Sequence, residues 1–153
     1  MMIVQEQFVS IKAPPATIER YLTDPELMAQ WRSPLVVLDP IEGDLMALGS
    51  KHKLRLKSLA LAGATYTVTE RDSGHILLTI DGLWRGKELW RWFADGDRTI
   101  VQNRVEYEVP DPSLRVFVVG LGQIFASLDM RIQLDRLRMI IEGGGQPATA
   151  QSR

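Results

Sequence analysis

Few side chains in this sequence could do chemistry. His52 and His75 are its only histidines, and the other groups able to move a proton or orient a polar atom from a strand face are Tyr66, Glu88, Arg91 and Asn103. No two of these have the spacing of a catalytic pair. An imidazole titrates near neutrality and can serve as general acid or base. His52 leads an alternating segment in which Leu54 and Leu56 share its face, and its place at the start of that segment predicts a position at the sheet rim. His75 follows the turn Asp72-Ser73-Gly74 and is expected in solvent. Asn103 interrupts an apolar face between Val101 and Val105. A buried amide left unpaired costs about 1–3 kcal/mol, so Asn103 must have a partner, either a ligand or a group on a neighbouring strand or helix.

Several chemistries are excluded. With no cysteine there is no disulfide, thiol nucleophile, iron–sulfur cluster or cysteine zinc site. Two histidines make a histidine-rich metal site improbable, and no metal and no cofactor are expected. The sequence has no P-loop, no EF-hand loop and no Ser-His-Asp spacing. Gly120-Leu121-Gly122 lacks the third glycine and the preceding βαβ context of a dinucleotide fingerprint. The net charge of -1 offers no global attraction for nucleic acid or an anionic membrane. Lys51, Lys53, Arg55 and Lys57 form a basic row on one strand, which reads as a solvated face that discourages edge pairing rather than as an anion-binding surface. No apolar run is long enough to span a bilayer, and the opening MMIVQEQFVSIK alternates as a strand does rather than as a signal peptide, so a cytoplasmic protein is expected.

The elements that must position these residues are legible in periodicity. Val4 to Ile11 alternates as a first strand. Pro14-Pro15 ends it and opens a helix with Ile18, Tyr21 and Leu22 at helical spacing. Asp24-Pro25-Glu26 caps and starts a second short helix that runs to about Trp31 and stops at Ser33-Pro34. Six further strands follow: Leu35 to Pro40, Lys51 to Leu59, Ala64 to Arg71, His75 to Gly82, Lys87 to Ala94 and Thr99 to Val109. Lys87 to Ala94 is apolar on both faces, with Trp90 and Trp92 on one and Leu89 and Phe93 on the other, so its inner face is not decided by pattern. Short turns make these neighbours antiparallel, and one-sided alternation makes one face of the sheet apolar. Asp111-Pro112 then caps a proline-free helical span from Ser113 to Glu142, in which Gly120 and Gly122 predict a break. The reading is one α+β domain over 1–142 and a flexible tail over 143–153.

The order of one strand, two short helices, six strands and a long helix resembles the helix-grip fold of the START-like, or SRPBCC, superfamily, and within it the polyketide cyclase/dehydrase and lipid-transport group. The residues that carry the likeness are IKAPPATIERYLTDPELMAQW, with Ala13-Pro14, Tyr21-Leu22, Asp24 and Trp31; LWRWFADGDRTIVQNRVEYEVP, with Trp92, Phe93, Gly96, Asp97, Thr99, Val101 and Tyr107; and the final helix with Leu134 and Leu137. These are marks of fold, and the superfamily has no shared catalytic set to carry over. The resemblance implies a seven-stranded curved antiparallel sheet around a long C-terminal helix, and a cavity between them for a lipid, a polyketide or an isoprenoid-like molecule. Its lining would come from Trp31, His52, Leu54, Leu56, Tyr66, Leu78, Ile80, Trp90, Trp92, Asn103, Tyr107, Phe117, Leu121 and Phe125. Trp31 would sit at a gate or plug between helix and sheet, and Trp84 in a loop at the rim. Leu114 to Phe125 is apolar on nearly every side, which suits an entry gate, a homodimer contact or a membrane-touching patch. Three functions compete: a binding or transport module, a cyclase-like enzyme, and a module that docks that apolar segment onto a partner.

Overall fold

In the computed structural model, residues 2–57, 59–113 and 129–143 are described, residues 59–62 by their backbone only. The chain begins with β1 (Ile3–Ile11), followed by α1 (Pro15–Thr23) and α2 (Pro25–Trp31). The strands β2 (Val36–Glu42), β3 (Lys51–Leu56), β4 (Leu59–Asp72), β5 (His75–Gly82), β6 (Arg85–Asp95) and β7 (Arg98–Glu108) come next. The last described element is α3 (Met130–Glu142). All strand pairs are antiparallel, and the sheet order is β1-β7-β6-β5-β4-β3-β2. Residues β2 to β7 thus form a meander, and β1 joins its far end by pairing with β7.

Local chemistry explains the boundaries. Pro14 in extended geometry precedes Pro15 at the first turn of α1, where a missing N–H costs nothing. The Asp24 carboxylate accepts from the N–H groups of Glu26 at 2.9 Å and Leu27 at 3.5 Å and so caps α2, while its backbone N–H closes α1 on the Arg20 carbonyl. The hairpin turns at Gly74 and Gly96 require positive φ, 90° and 65°, which glycine adopts without strain. Asp111 also caps as expected, its Oδ1 accepting from the Ser113 backbone N–H at 2.9 Å.

Several strand ends differ by a few residues, β4 starting at Leu59 rather than Ala64, and two boundaries differ in kind. The strand expected over Lys51 to Leu59 ends at Leu56, and Leu59 already belongs to β4, paired back onto Leu56 across an irregular register. The 59–64 stretch LALAGA does not alternate, so its pattern could not mark the turn. The helical span expected from Ser113 to Glu142 is not continuous. Asp129 is non-helical, with φ -56° and ψ 118°, its carboxylate accepts from the Arg131 N–H at 2.9 Å, and a helix of 13 residues starts at Met130. An aspartate can cap as well as ride a helix, and periodicity does not distinguish the two. The glycine break, together with Phe117, Leu121, Phe125 and the apolar segment around them, lies outside the described residues.

Packing places one face of the sheet inside. Val9, Ile11, Ile76, Leu78, Ile80, Trp90, Trp92 and Val101 are buried against Ile18, Leu22, Met28 and Trp31 of the short helices and Leu134 and Leu137 of α3. On β6 the buried face is that of Glu88, Trp90 and Trp92, while Phe93 is exposed. Helix α3 is fastened at both ends. The Arg136 Nη1 donates to the carbonyls of Trp31 at 2.9 Å and Arg32 at 3.2 Å, and Gln133 Oε1 accepts from the Ser33 N–H at 3.1 Å. At its C-terminus Glu142 accepts from the Lys12 N–H and from Arg98.

Candidate functional site

On the inner face of the sheet, strand register brings a polar cluster together in an apolar setting. Antiparallel pairing sets His52 opposite Tyr66, Glu88 between Leu78 and Val105, and Trp90 opposite Asn103. Each of these residues shares its strand's inward face with aliphatic or aromatic side chains, and that is why the polar groups converge here.

Asn103 is 1% exposed, and its Nδ2 donates to Glu88 Oε2 at 2.7 Å. Its partner is therefore a neighbouring strand's carboxylate, itself 5% exposed. A buried carboxylate is expensive unless hydrogen-bonded, and one amide bond leaves most of its acceptor capacity open. Tyr66 is buried, and its hydroxyl accepts from Trp84 Nε1 at 2.9 Å, so Trp84 reaches inward rather than only edging the rim. Burial first, and then the charge of Glu88, push the Tyr66 phenol well above its ordinary range, so it stays protonated. Burial raises Tyr107 too.

His52 corrects the expectation of a rim position: it is 2% exposed and stacks on Tyr66 with ring centroids 5.4 Å apart. The strand begins only one residue before it, but the preceding loop is not at an exposed rim: Met46 and Ser50 are buried, and Gly49 and Ser50 bond the Val68 backbone of β4. Burial, helped by the nearby Arg32 charge, pushes the His52 pKa down to about 4, so the imidazole is neutral at pH 7. His75 is half-buried rather than free in solvent, with its Nε2 3.1 Å from Glu70 Oε1.

The aromatic residues form the wall beside this cluster. Trp31 and Trp90 meet edge to face with centroids 5.8 Å apart, and Trp31 Nε1 donates to the Tyr21 carbonyl at 2.9 Å. Arg32 lies against both rings, its Cζ 5.0 Å from the Trp31 centroid and 5.8 Å from that of Trp90. Among the described residues, the buried atoms Arg32 Nε, Trp90 Nε1 and His52 Nδ1 have no hydrogen-bond partner.

Of the expected lining residues, Leu56, Leu78, Ile80 and Trp92 are buried on this face, and Leu54 and Tyr107 are half-buried. Sequence reasoning left Glu88 and Arg32 out of the lining. Glu88 shares the face of Trp90, and once that face is known to be the inner one, it must be buried. Arg32 ends a seven-residue helix in a polar context, and nothing in the pattern signals its direction. Among the described residues, no three His, Asp or Glu side chains group as a metal would require. No described helix is long and apolar enough to cross a membrane.

Solved structures with the same fold are distant in sequence. KanY (ms6282) matches with a TM-score of 0.69 at 15% identity, over 94% of this chain and 99% of that one. A norcoclaurine synthase point mutant from Thalictrum flavum, bound to a transition-state analogue, matches with a TM-score of 0.65 at 13% identity, over 95% and 98%. Ara h 8.0201 matches with a TM-score of 0.57 at 13% identity, over 86% and 98%. At such identities the likeness establishes a helix-grip fold and nothing about chemistry. No curated protein sequence matches the chain. The family model described as polyketide cyclase / dehydrase and lipid transport matches residues 2–142, nearly the whole chain. With the sheet order and the three helices in place, that match means that the chain belongs to the polyketide cyclase/dehydrase and lipid-transport family of the SRPBCC superfamily.

Proposed function

We propose that this protein binds an apolar small molecule on the inner face of its sheet and orients it with the polar cluster around Glu88, Asn103, Tyr66 and His52. The observation that carries the reading is the pairing of Asn103 with the buried Glu88 carboxylate in a wall that is otherwise aliphatic and aromatic. Apolar walls supply affinity by removing ligand surface from water, at about 25 cal/mol per Å², while a few fixed polar atoms choose its orientation. A fully closed core gains nothing from a buried carboxylate with open acceptor sites.

The cyclase reading is less well supported. Acid–base work at neutral pH needs a group that titrates there. His52 is held neutral down to about 4 and Tyr66 is held protonated, so these two orient polar atoms rather than exchange protons at pH 7. The docking reading depends on the 114–125 segment, which lies outside the described residues.

Native mass spectrometry of freshly purified protein, with organic extraction of co-purified compounds, tests the proposal alongside titration with the neutral dye N-phenyl-1-naphthylamine. A co-purified apolar compound or saturable dye binding is the expected result. Repeated absence of both overturns it.

A further inference from the structure

The ligand's own polar group is named by Arg32, given the binding role proposed above. A guanidinium cannot shed its proton, so a partly buried arginine must find compensation for its charge. Among the described residues Arg32 makes no ion pair and its side chain makes no hydrogen bond; its buried Nε has no acceptor. Its compensation is the faces of Trp31 and Trp90 at 5.0 and 5.8 Å, a weak substitute for a counter-ion. The Trp90 Nε1–H, on a residue 1% exposed, also lacks an acceptor. Two unused donors, one charged, therefore stand on one aromatic corner. The backbone that carries Arg32 is fixed, because Arg136 grips the Trp31 and Arg32 carbonyls and Gln133 holds the next N–H. The nearest buried carboxylate on this face, Glu88, is not within ion-pair distance and is engaged with Asn103.

We propose that Arg32, seconded by Trp90 Nε1–H, is an anion anchor, and that the ligand is an apolar molecule bearing a carboxylate which these two donors receive. The Arg32 charge also adds to burial in keeping the nearby His52 imidazole unprotonated. Glu88, carrying the opposite charge, would be faced by the ligand's apolar body or by a hydroxyl, not by its acid.

The test is displacement of N-phenyl-1-naphthylamine by decanoate, methyl decanoate and decan-1-ol at pH 7. A hydrogen-bonded charge is worth about 1.5–3 kcal/mol, so wild-type protein should bind decanoate about tenfold or more tighter than the ester or the alcohol. Arg32→Gln should bring the three within about twofold while dye affinity holds, and Arg32→Lys should restore part of the preference. Should Arg32→Gln fail to fold, Arg32→Met keeps an apolar stem against the two indoles, drops the charge and should likewise bring the three ligands within about twofold. Equal affinities in the wild type, or a decanoate preference that survives both substitutions, overturn the anchor while dye binding leaves the general binding role standing. A preference for decan-1-ol that Glu88→Gln removes also overturns it, because the orienting group is then the carboxylate. Failure of wild-type protein to take up the dye overturns the binding role and this inference with it.

Discussion

At the scale of single residues, the molecule's most informative feature is polarity placed where only apolar packing was required. His52 illustrates the cost. Unfolded, its imidazole takes up a proton as pH falls below about 6.5; folded, it does so only near 4. Between those values the unfolded chain holds more protons than the native state, so stability falls as pH drops through this window and levels off below it. The size is on the order of 3 kcal/mol. Phenylalanine can keep the stacking on Tyr66 without the titration. His52→Phe should therefore lose about 2–3 kcal/mol less than wild type between pH 7 and pH 4, measured by urea unfolding at both pH values. Parallel losses in the two proteins would mean that His52 is not the group concerned. The Glu88–Asn103 pair makes a second case. Asn103→Leu strands a buried carboxylate and should cost about 3 kcal/mol, whereas Glu88→Leu with Asn103→Leu should cost clearly less than the two single changes added together. Additive losses in a double-mutant cycle would show that the two side chains do not act as a unit. If Asn103→Leu leaves ligand affinity unchanged, the amide serves only to hold Glu88.

At the scale of elements, capping chemistry and alternation were readable, and direction was not. Asp24, Asp111 and the turns at Gly74 and Gly96 could be placed because each answers a local need: an open N–H or a positive φ. The seven strands could be placed because a sheet with one apolar face imposes a two-residue period. Where that period lapses, at 59–64, the boundary moved. Where both faces of a strand are apolar, as at Lys87 to Ala94, the inner face was undecidable, and with it the burial of Glu88. Arg32 was unreadable for a deeper reason: its course is set by Trp90 and Arg136, residues distant in sequence that meet it only in the fold. The same logic yields a prediction about α2. Asp24 caps the helix that presents Trp31 and Arg32, so Asp24→Ala should cost about 1 kcal/mol in urea unfolding. Loss of less than a few tenths would mean that tertiary packing alone holds α2 in place.

At the scale of the whole molecule, α1 packs on β6 and β7 and α3 on β1 and α2, and each helix is tied down by specific bonds. Arg71 pairs with Glu19 of α1, Arg136 grips the end of α2, and Glu142 links α3 to Arg98 and the Lys12 backbone. Such a layout would make the proposed ligand binding a property of the folded state only, since no single element carries the proposed site. Anything that binds the native chain and not the unfolded one must then raise stability by mass action. At a ligand concentration about a hundredfold above Kd the gain is about 2.7 kcal/mol. For a domain of this size each kcal/mol moves the midpoint by about 2–4 °C, so saturating decanoate should raise Tm by about 5–10 °C. Arg32→Gln should lose most of that shift for decanoate and keep the smaller shift produced by a neutral apolar compound. A Tm that does not move with any apolar compound, in a protein that unfolds reversibly, would mean that the inner face is a closed core and that its buried charges serve packing alone.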